Sequence, residues 1–67
     1  MPQIAAARAA LSAYAERVGG EQTEPIETQV SDLVADLLHL LTRTEGPEEA
    51  TYRHGLAFRH FEEEINP

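Results

Sequence analysis

The chain has 67 residues, no cysteine and a formal net charge of −7 at pH 7. This length allows a single domain, residues 1–67, and a domain so small buries only about 60% of the surface that its unfolded chain exposes. Without cysteine, neither a disulfide nor a thiolate metal site can stabilise it. The acidic charge argues against direct nucleic-acid binding, because the phosphate backbone attracts Lys and Arg. Well-packed helices or a second chain are the remaining sources of stability.

Several functional classes lack their sequence signals. No stretch approaches the ~18 uninterrupted apolar residues of a membrane span, and the N-terminus has no signal-peptide pattern, so we expect a cytoplasmic protein without a membrane partner. The two serines, Ser12 and Ser31, belong to no nucleophile motif, and there is no glycine-rich phosphate loop. The sequence therefore favours a non-enzymatic protein over a catalyst.

The first predicted helix covers residues 3–18 and is rich in alanine, the best helix former. At ~100° per residue one narrow apolar stripe forms, which consists of Ile4, Ala7, Leu11, Tyr14, Ala15 and Val18. Gly19-Gly20 is expected to end the helix, because glycine takes the left-handed conformation found after many helices. The small flanking alanines would let this helix approach its neighbours closely.

The second predicted helix, residues 24–43, is the most clearly amphipathic segment, with Thr23 as its N-cap and Pro25 in its first turn. Its apolar arc spans roughly 160° and consists of Ile26, Val30, Leu33, Val34, Leu37, Leu38, Leu40 and Leu41. Because one neighbouring helix does not cover so wide an arc, we expect contacts on two sides and a dimeric helical bundle. In such a bundle Leu37→Ala costs about 2–5 kcal/mol, whereas Asp36→Ala leaves folding almost unchanged.

Gly46-Pro47 separates the second helix from a third, predicted over residues 47–65, since Gly commonly ends helices and Pro commonly begins them. Together these two helices form a hairpin, to which the first helix is added. The main apolar stripe of the third helix consists of Ala50, Ala57, Phe58, Phe61 and Ile65. Tyr52 and Leu56 lie off this stripe, one turn apart, and are candidate partner contacts. Gly55 indicates a close backbone approach or a bend.

The polar side of the second helix carries the best candidate site. Asp32, Asp36 and His39 lie within about 60° of one another, and Arg43 follows one turn after His39. A solvated surface, a partner contact and a site for Mg²⁺ or Mn²⁺ all fit this pattern. We assign partner binding to these four residues, and we keep a metal site as the alternative, formed by Asp32, Asp36, His39 and His60.

Acidic residues concentrate near helix ends. Six of the twelve are expected just before or at the start of a helix, where they offset its positive dipole end: Glu21, Glu24, Glu27, Glu45, Glu48 and Glu49. An acidic surface for a basic protein is the other interpretation. Glu62, Glu63 and Glu64 instead lie near the end of the third helix, where negative charge is unfavourable. They indicate either a solvated, frayed end or a partner-binding patch, in which we include Glu62 and Glu63.

The stretch from Asp32 to Leu40 reads DLVADLLHL, and AFRHFE follows from Ala57. Together they resemble a pattern in many short proteins of bacterial and phage genomes, D-L-x-x-D-L-x-H-L and then a helix with H-F or H-Y. The resemblance covers roughly residues 28–64, about half of the chain. It implies a helical hairpin of mobile-element origin in which the two histidines meet. Its motif residues here are Asp32, Asp36, His39, His60 and Phe61.

A second resemblance is to the all-α nucleotide pyrophosphohydrolases of the MazG type. Those enzymes hold Mg²⁺ with carboxylates on paired helices, typically as E-x-x-E and E-x-x-D, and Asp32 and Asp36 are the counterparts here. The preferred prediction is a homodimeric, acidic helical module without a cofactor that binds a basic host protein, as a phage or mobile-element regulator or inhibitor. The alternative is a small Mg²⁺- or Mn²⁺-dependent enzyme of the pyrophosphohydrolase kind.

Overall fold

A computed structural model describes residues 2–19 and 23–65 of the chain. In these residues it contains three α-helices and no strand: α1 (Ile4–Val18), α2 (Ile26–Glu45) and α3 (Pro47–Ile65). The prediction of an all-helical chain with three helices is confirmed for this part of the sequence. None of the three helices combines the length and the apolar composition that a membrane crossing requires.

Both ends of α1 are closed by backbone hydrogen bonds. The amide of Ala7 donates to the carbonyl of Gln3 at 3.0 Å, so the helix begins one residue later than predicted. At the other end the amide of Gly19 donates to the carbonyl of Ala15 at 3.1 Å, and Gly19 has a φ of 66°. Its role as the residue that ends the helix is therefore confirmed. Gly20, the second glycine of the predicted stop, lies outside the described residues.

Helix α2 runs two residues further along the chain than predicted, at both ends. The carbonyl of Pro25 accepts hydrogen bonds from the amides of Thr28 and Gln29 at 3.0 and 3.1 Å, so Pro25 immediately precedes the first helical residue. The predicted N-cap position thus moves from Thr23 to Pro25. The side-chain amide of Gln29 also donates to the carbonyl of Glu24 at 2.8 Å, which ties the preceding segment to the first turn.

A single residue, Gly46, connects α2 to α3. Its amide donates to the carbonyl of Thr42 at 2.9 Å, and its carbonyl accepts from the amide of Ala50 at 3.2 Å. Its φ of 96° lies in the region that favours glycine. Pro47 follows as the first residue of α3, where its missing N–H is harmless. The predicted Gly-Pro junction is confirmed.

The chain divides into two compact units. The first contains the described residues up to Ala35, with α1 and the beginning of α2, and the second contains those from Asp36 onward, with the rest of α2 and α3. Leu11 and Ala15 are buried in the first unit, and Ala50 is buried in the second. Each unit has only about 30 residues. Domains shorter than ~40 residues usually need extra stabilisation, such as a disulfide, a metal or oligomerisation.

The apolar stripes are much less buried than their periodicity suggests. No residue of α2 is buried: Leu33, Leu38 and Leu41 are half-buried, and the other five apolar residues of the predicted arc are exposed. In α3, Phe58, Phe61 and Ile65 are exposed as well. Periodicity identifies side chains that share a face, but it does not supply the surface that covers them.

Candidate interaction surfaces

The polar side of α2 forms a groove within the second unit. Asp36, His39, Leu40 and Arg43 line it, and its volume is about 280 Å³. Three of the four site residues predicted on this helix thus line one groove. They are spaced three or four residues apart, and residues at this spacing are neighbours on the surface of a helix. Asp32, the fourth, is exposed on the same helix within the first unit. Leu40, which the sequence assigned to the apolar arc, lines the groove beside the charged residues and is 60% exposed.

The alternative metal site is not assembled in the described part of the chain. Among residues 2–19 and 23–65, no three side chains of the types that ligate metals come together in a way that could hold an ion. Asp32, Asp36, His39 and His60 are each exposed. The metal site stays a prediction, and calorimetric titration with Mn²⁺ tests it.

Tyr52 and Leu56 lie at a second groove, on α3. Thr51, Gly55 and Arg59 complete its lining, and its volume is about 270 Å³. Tyr52 is 57% exposed and Leu56 is half-buried. A Cβ atom added at Gly55 would meet nothing within 4 Å, so the close approach predicted at this glycine is not made by the chain itself. The groove is open to an external partner.

A paired arginine, Arg53, lies over the ring of Tyr52. The guanidinium carbon of Arg53 lies 5.4 Å from the centroid of this ring. The Nε of Arg53 also donates to the Oε1 of Glu49 at 2.7 Å. An exposed i,i+4 ion pair stabilises a helix by only about 0.3–0.5 kcal/mol. The pair therefore contributes little to folding, and its main effect is on the position of Arg53 beside the tyrosine.

An exposed aromatic pair on α3 was not recognised as a site from the sequence. The rings of Phe58 and Phe61 are 5.9 Å apart between centroids and inclined by 40°. Their exposed fractions are 57% and 51%. The sequence placed both in the main apolar stripe of the helix, and only the lack of a covering element distinguishes such a stripe from a core. Aromatic side chains of this kind often anchor protein interfaces.

The acidic residues follow the predicted distribution along the helices except at Glu45, which is expected to precede α3 but is the last residue of α2. Glu27 lies in the first turn of α2, and Glu48 and Glu49 lie in the first turn of α3. Glu62 and Glu63 are exposed near the end of α3, where no basic residue lies in the last turn to offset the dipole. Glu21, also expected near a helix start, lies outside the described residues.

In sequence and in fold, the chain matches no family model, no curated protein and no solved structure.

Proposed function

We propose that the chain is a small acidic protein-interaction module that forms a homodimer and presents carboxylates to a basic protein partner. The observation that supports this most is that α2, with 20 residues, buries none of them. Eight of these residues are Ile, Val or Leu. A helix with so many uncovered apolar residues has the surface of a binding element rather than of a self-contained core.

The energetics point in the same direction. Full burial of one Val, Leu, Ile or Phe side chain contributes about 1.5–3 kcal/mol. Nine large apolar side chains of α2 and α3 are 38–60% exposed, so several of them can still gain from contact with a partner. Since each unit has about 30 residues and few buried side chains, a partner would supply apolar cover that the chain itself does not provide.

The charge of the chain indicates the second kind of partner. A net charge of −7 favours association with basic proteins and opposes association with acidic surfaces. Glu62, Glu63 and Glu64 form an exposed acidic run at the end of α3 (the acidic end). A regulator or inhibitor encoded by a phage or mobile element is the specific form that the sequence resemblance suggests.

Capture at different salt concentrations tests the acidic end. We compare the immobilised chain with a variant that carries Glu62→Gln, Glu63→Gln and Glu64→Gln. The native chain should retain a basic bacterial protein at about 50 mM salt and release it at about 500 mM, because screening weakens contacts between exposed charges. The variant should retain much less of it. Removal of negative charge near the C-terminus of α3 favours the helix, so loss of structure would not account for the difference.

A matched variant controls for net charge. Glu16→Gln, Glu24→Gln and Glu45→Gln neutralise three exposed carboxylates elsewhere in the chain. This control should retain the basic protein nearly as well as the native chain. If nothing basic is retained at low salt, or if both variants lose it equally, the acidic end is not the binding surface.

A further inference from the structure

We infer that a second copy of the chain docks on one face of α2 in antiparallel orientation, through Leu33, Leu37 and Leu40 flanked by Asp36 and Arg43 (the α2 seam). This inference rests on the self-association that is part of the proposed function, and it identifies the surface and its geometry. Three observations support it: the spacing of the apolar residues, the exposure of the two flanks, and the signs of the flanking charges.

The apolar residues of α2 follow the spacing of a two-stranded coiled coil. Steps of four and three residues alternate through Ile26, Val30, Leu33, Leu37 and Leu40, and Thr44 occupies the next position of the series. This heptad spacing keeps one stripe of a helix facing a second helix. Leu33 is half-buried, whereas Leu37 and Leu40 are 53% and 60% exposed, so the chain's own elements leave the stripe largely uncovered at these two leucines. An apolar heptad stripe is self-complementary, and a second copy of α2 therefore matches it in length and spacing.

The two flanks of the stripe differ within the second unit. On one flank Leu38 and Leu41 are half-buried within the chain. On the other flank lies the open groove of Asp36, His39, Leu40 and Arg43. A second helix therefore has access to Leu37 and Leu40 from the side of the groove, where the charged residues border the contact.

The charges of the groove favour an antiparallel pair. Asp36 and Arg43 lie one heptad apart, in equivalent positions beside the seam, and they carry opposite charges. A two-fold axis near the middle of the seam places Leu37 against Leu40 of the second copy. The same axis places Asp36 of each copy beside Arg43 of the other, which gives two ion pairs. A parallel pair instead places Asp36 beside Leu41 of the second copy, and the carboxylate then faces hydrocarbon.

The length of the overlap sets the expected affinity. From Leu33 to Thr44 the seam has about 12 residues and a length of roughly 18 Å. Stable interfaces bury about 800 Å² on each partner, and a single short pair of helices buries less. The dimer therefore belongs with weak, reversible complexes, and we expect a dissociation constant between about 10 μM and 1 mM.

Charge exchange tests the seam and its orientation together. Sedimentation equilibrium of the full chain, from about 5 μM to 2 mM, gives the dissociation constant of each variant. Asp36→Arg and Arg43→Asp each replace two attractive contacts by two repulsive ones, so each should weaken the dimer about tenfold. The double variant restores opposite charges across the axis and should return to within about threefold of the native value. Asp36 and Arg43 are two turns apart on one helix, about 10 Å, so contact within the helix does not explain such a rescue.

Glu45→Arg is the matched control, because it makes the same change of net charge at an exposed position of α2 outside the groove. It should not weaken the dimer. Circular dichroism checks the helix content of every variant. If a reversal reduces it, Asp36→Asn and Arg43→Gln replace the reversals, each with an expected loss of about threefold.

The outcomes separate this inference from the proposed function. A native chain that stays monomeric at about 1 mM overturns both the seam and the proposed self-association. A dimer that Asp36→Arg does not weaken, or that the double variant does not restore, overturns the seam alone. A monomer that binds a basic amphipathic peptide through Leu37 and Leu40 assigns this face to the basic partner and also overturns the seam.

Discussion

Gly46 and Gly55 both lie near or within α3, but they meet different physical requirements. Gly46 has a φ of 96°, a conformation that L side chains rarely adopt. Gly55 lies within the helix and has no unusual φ, and a Cβ atom would meet nothing there within 4 Å. Of these two glycines, the backbone of the isolated chain therefore requires Gly46, whereas Gly55 reduces helix stability without relieving a contact.

Gly55→Ala is expected to raise the free energy of unfolding by about 1 kcal/mol, because alanine loses less backbone entropy in a helix interior. Gly46→Ala should lower it by about 1–2 kcal/mol, because a Cβ atom is strained at positive φ. Urea titration followed by circular dichroism measures both changes in dilute protein. A loss of stability in Gly55→Ala would show that this glycine has a packing role that the structure of the chain does not contain.

Within the helix α2, some apolar side chains are half-buried and others are exposed. Leu38 is half-buried, whereas its neighbour Leu37 is 53% exposed. The sequence-based expectation that Leu37→Ala costs about 2–5 kcal/mol applies to a buried leucine. In the single chain this value is therefore too large, because about half of Leu37 is already exposed to water.

Leu37→Ala should lower the free energy of unfolding of dilute protein by less than about 1 kcal/mol. Leu38→Ala is the matched comparison and should lower it more, by about 1–2 kcal/mol, since part of that side chain is covered. Chemical denaturation at low micromolar concentration measures both. Equal effects would mean that Leu37 is covered at that concentration, either by a second copy or by its own chain.

Local sequence signals located the helices well. The predicted ends of α1 and α3 differ from those observed by one residue or less, and Gly46-Pro47 marks the junction of α2 and α3 as expected. The start of α2 was predicted less well, because Thr23 carries the side chain of an N-cap while the Pro25 carbonyl accepts the first hydrogen bonds. End signals act through one or two residues, and two neighbouring signals can compete.

Burial was predicted less well than the helices. The helical period places Asp36, His39 and Arg43 on one side of α2, and the structure brings them to one groove. The same period groups Phe58 with Phe61 but does not show that they remain exposed. An apolar stripe becomes part of a core only if other elements of the chain cover it. The local sequence pattern of one helix does not say whether they do.

For the whole molecule, net charge distinguishes the two proposed kinds of association. Two copies with a charge of −7 each repel one another at long range, and salt screens that repulsion. A complex with a basic protein depends on attraction, which salt also screens. The two associations should therefore respond to salt in opposite directions.

We expect the dissociation constant of the homodimer to fall, or to stay within about twofold, as salt rises from about 50 to 500 mM. That of the complex with a basic partner should rise at least about tenfold over the same range. Sedimentation equilibrium and fluorescence anisotropy measure the two values. A homodimer that dissociates on addition of salt would show that its contacts are mainly ionic and that the apolar seam contributes little.

The division of the chain near Ala35 has a kinetic consequence. Because each unit is made almost entirely of one continuous stretch, its internal contacts join residues that are close in sequence. Such local contacts require little loop closure, and helical proteins of this kind fold in microseconds to milliseconds. Two copies at about 10 μM meet productively only about 1–100 times per second. The helices therefore form before the copies meet, and the encounter, not folding, sets the rate of assembly.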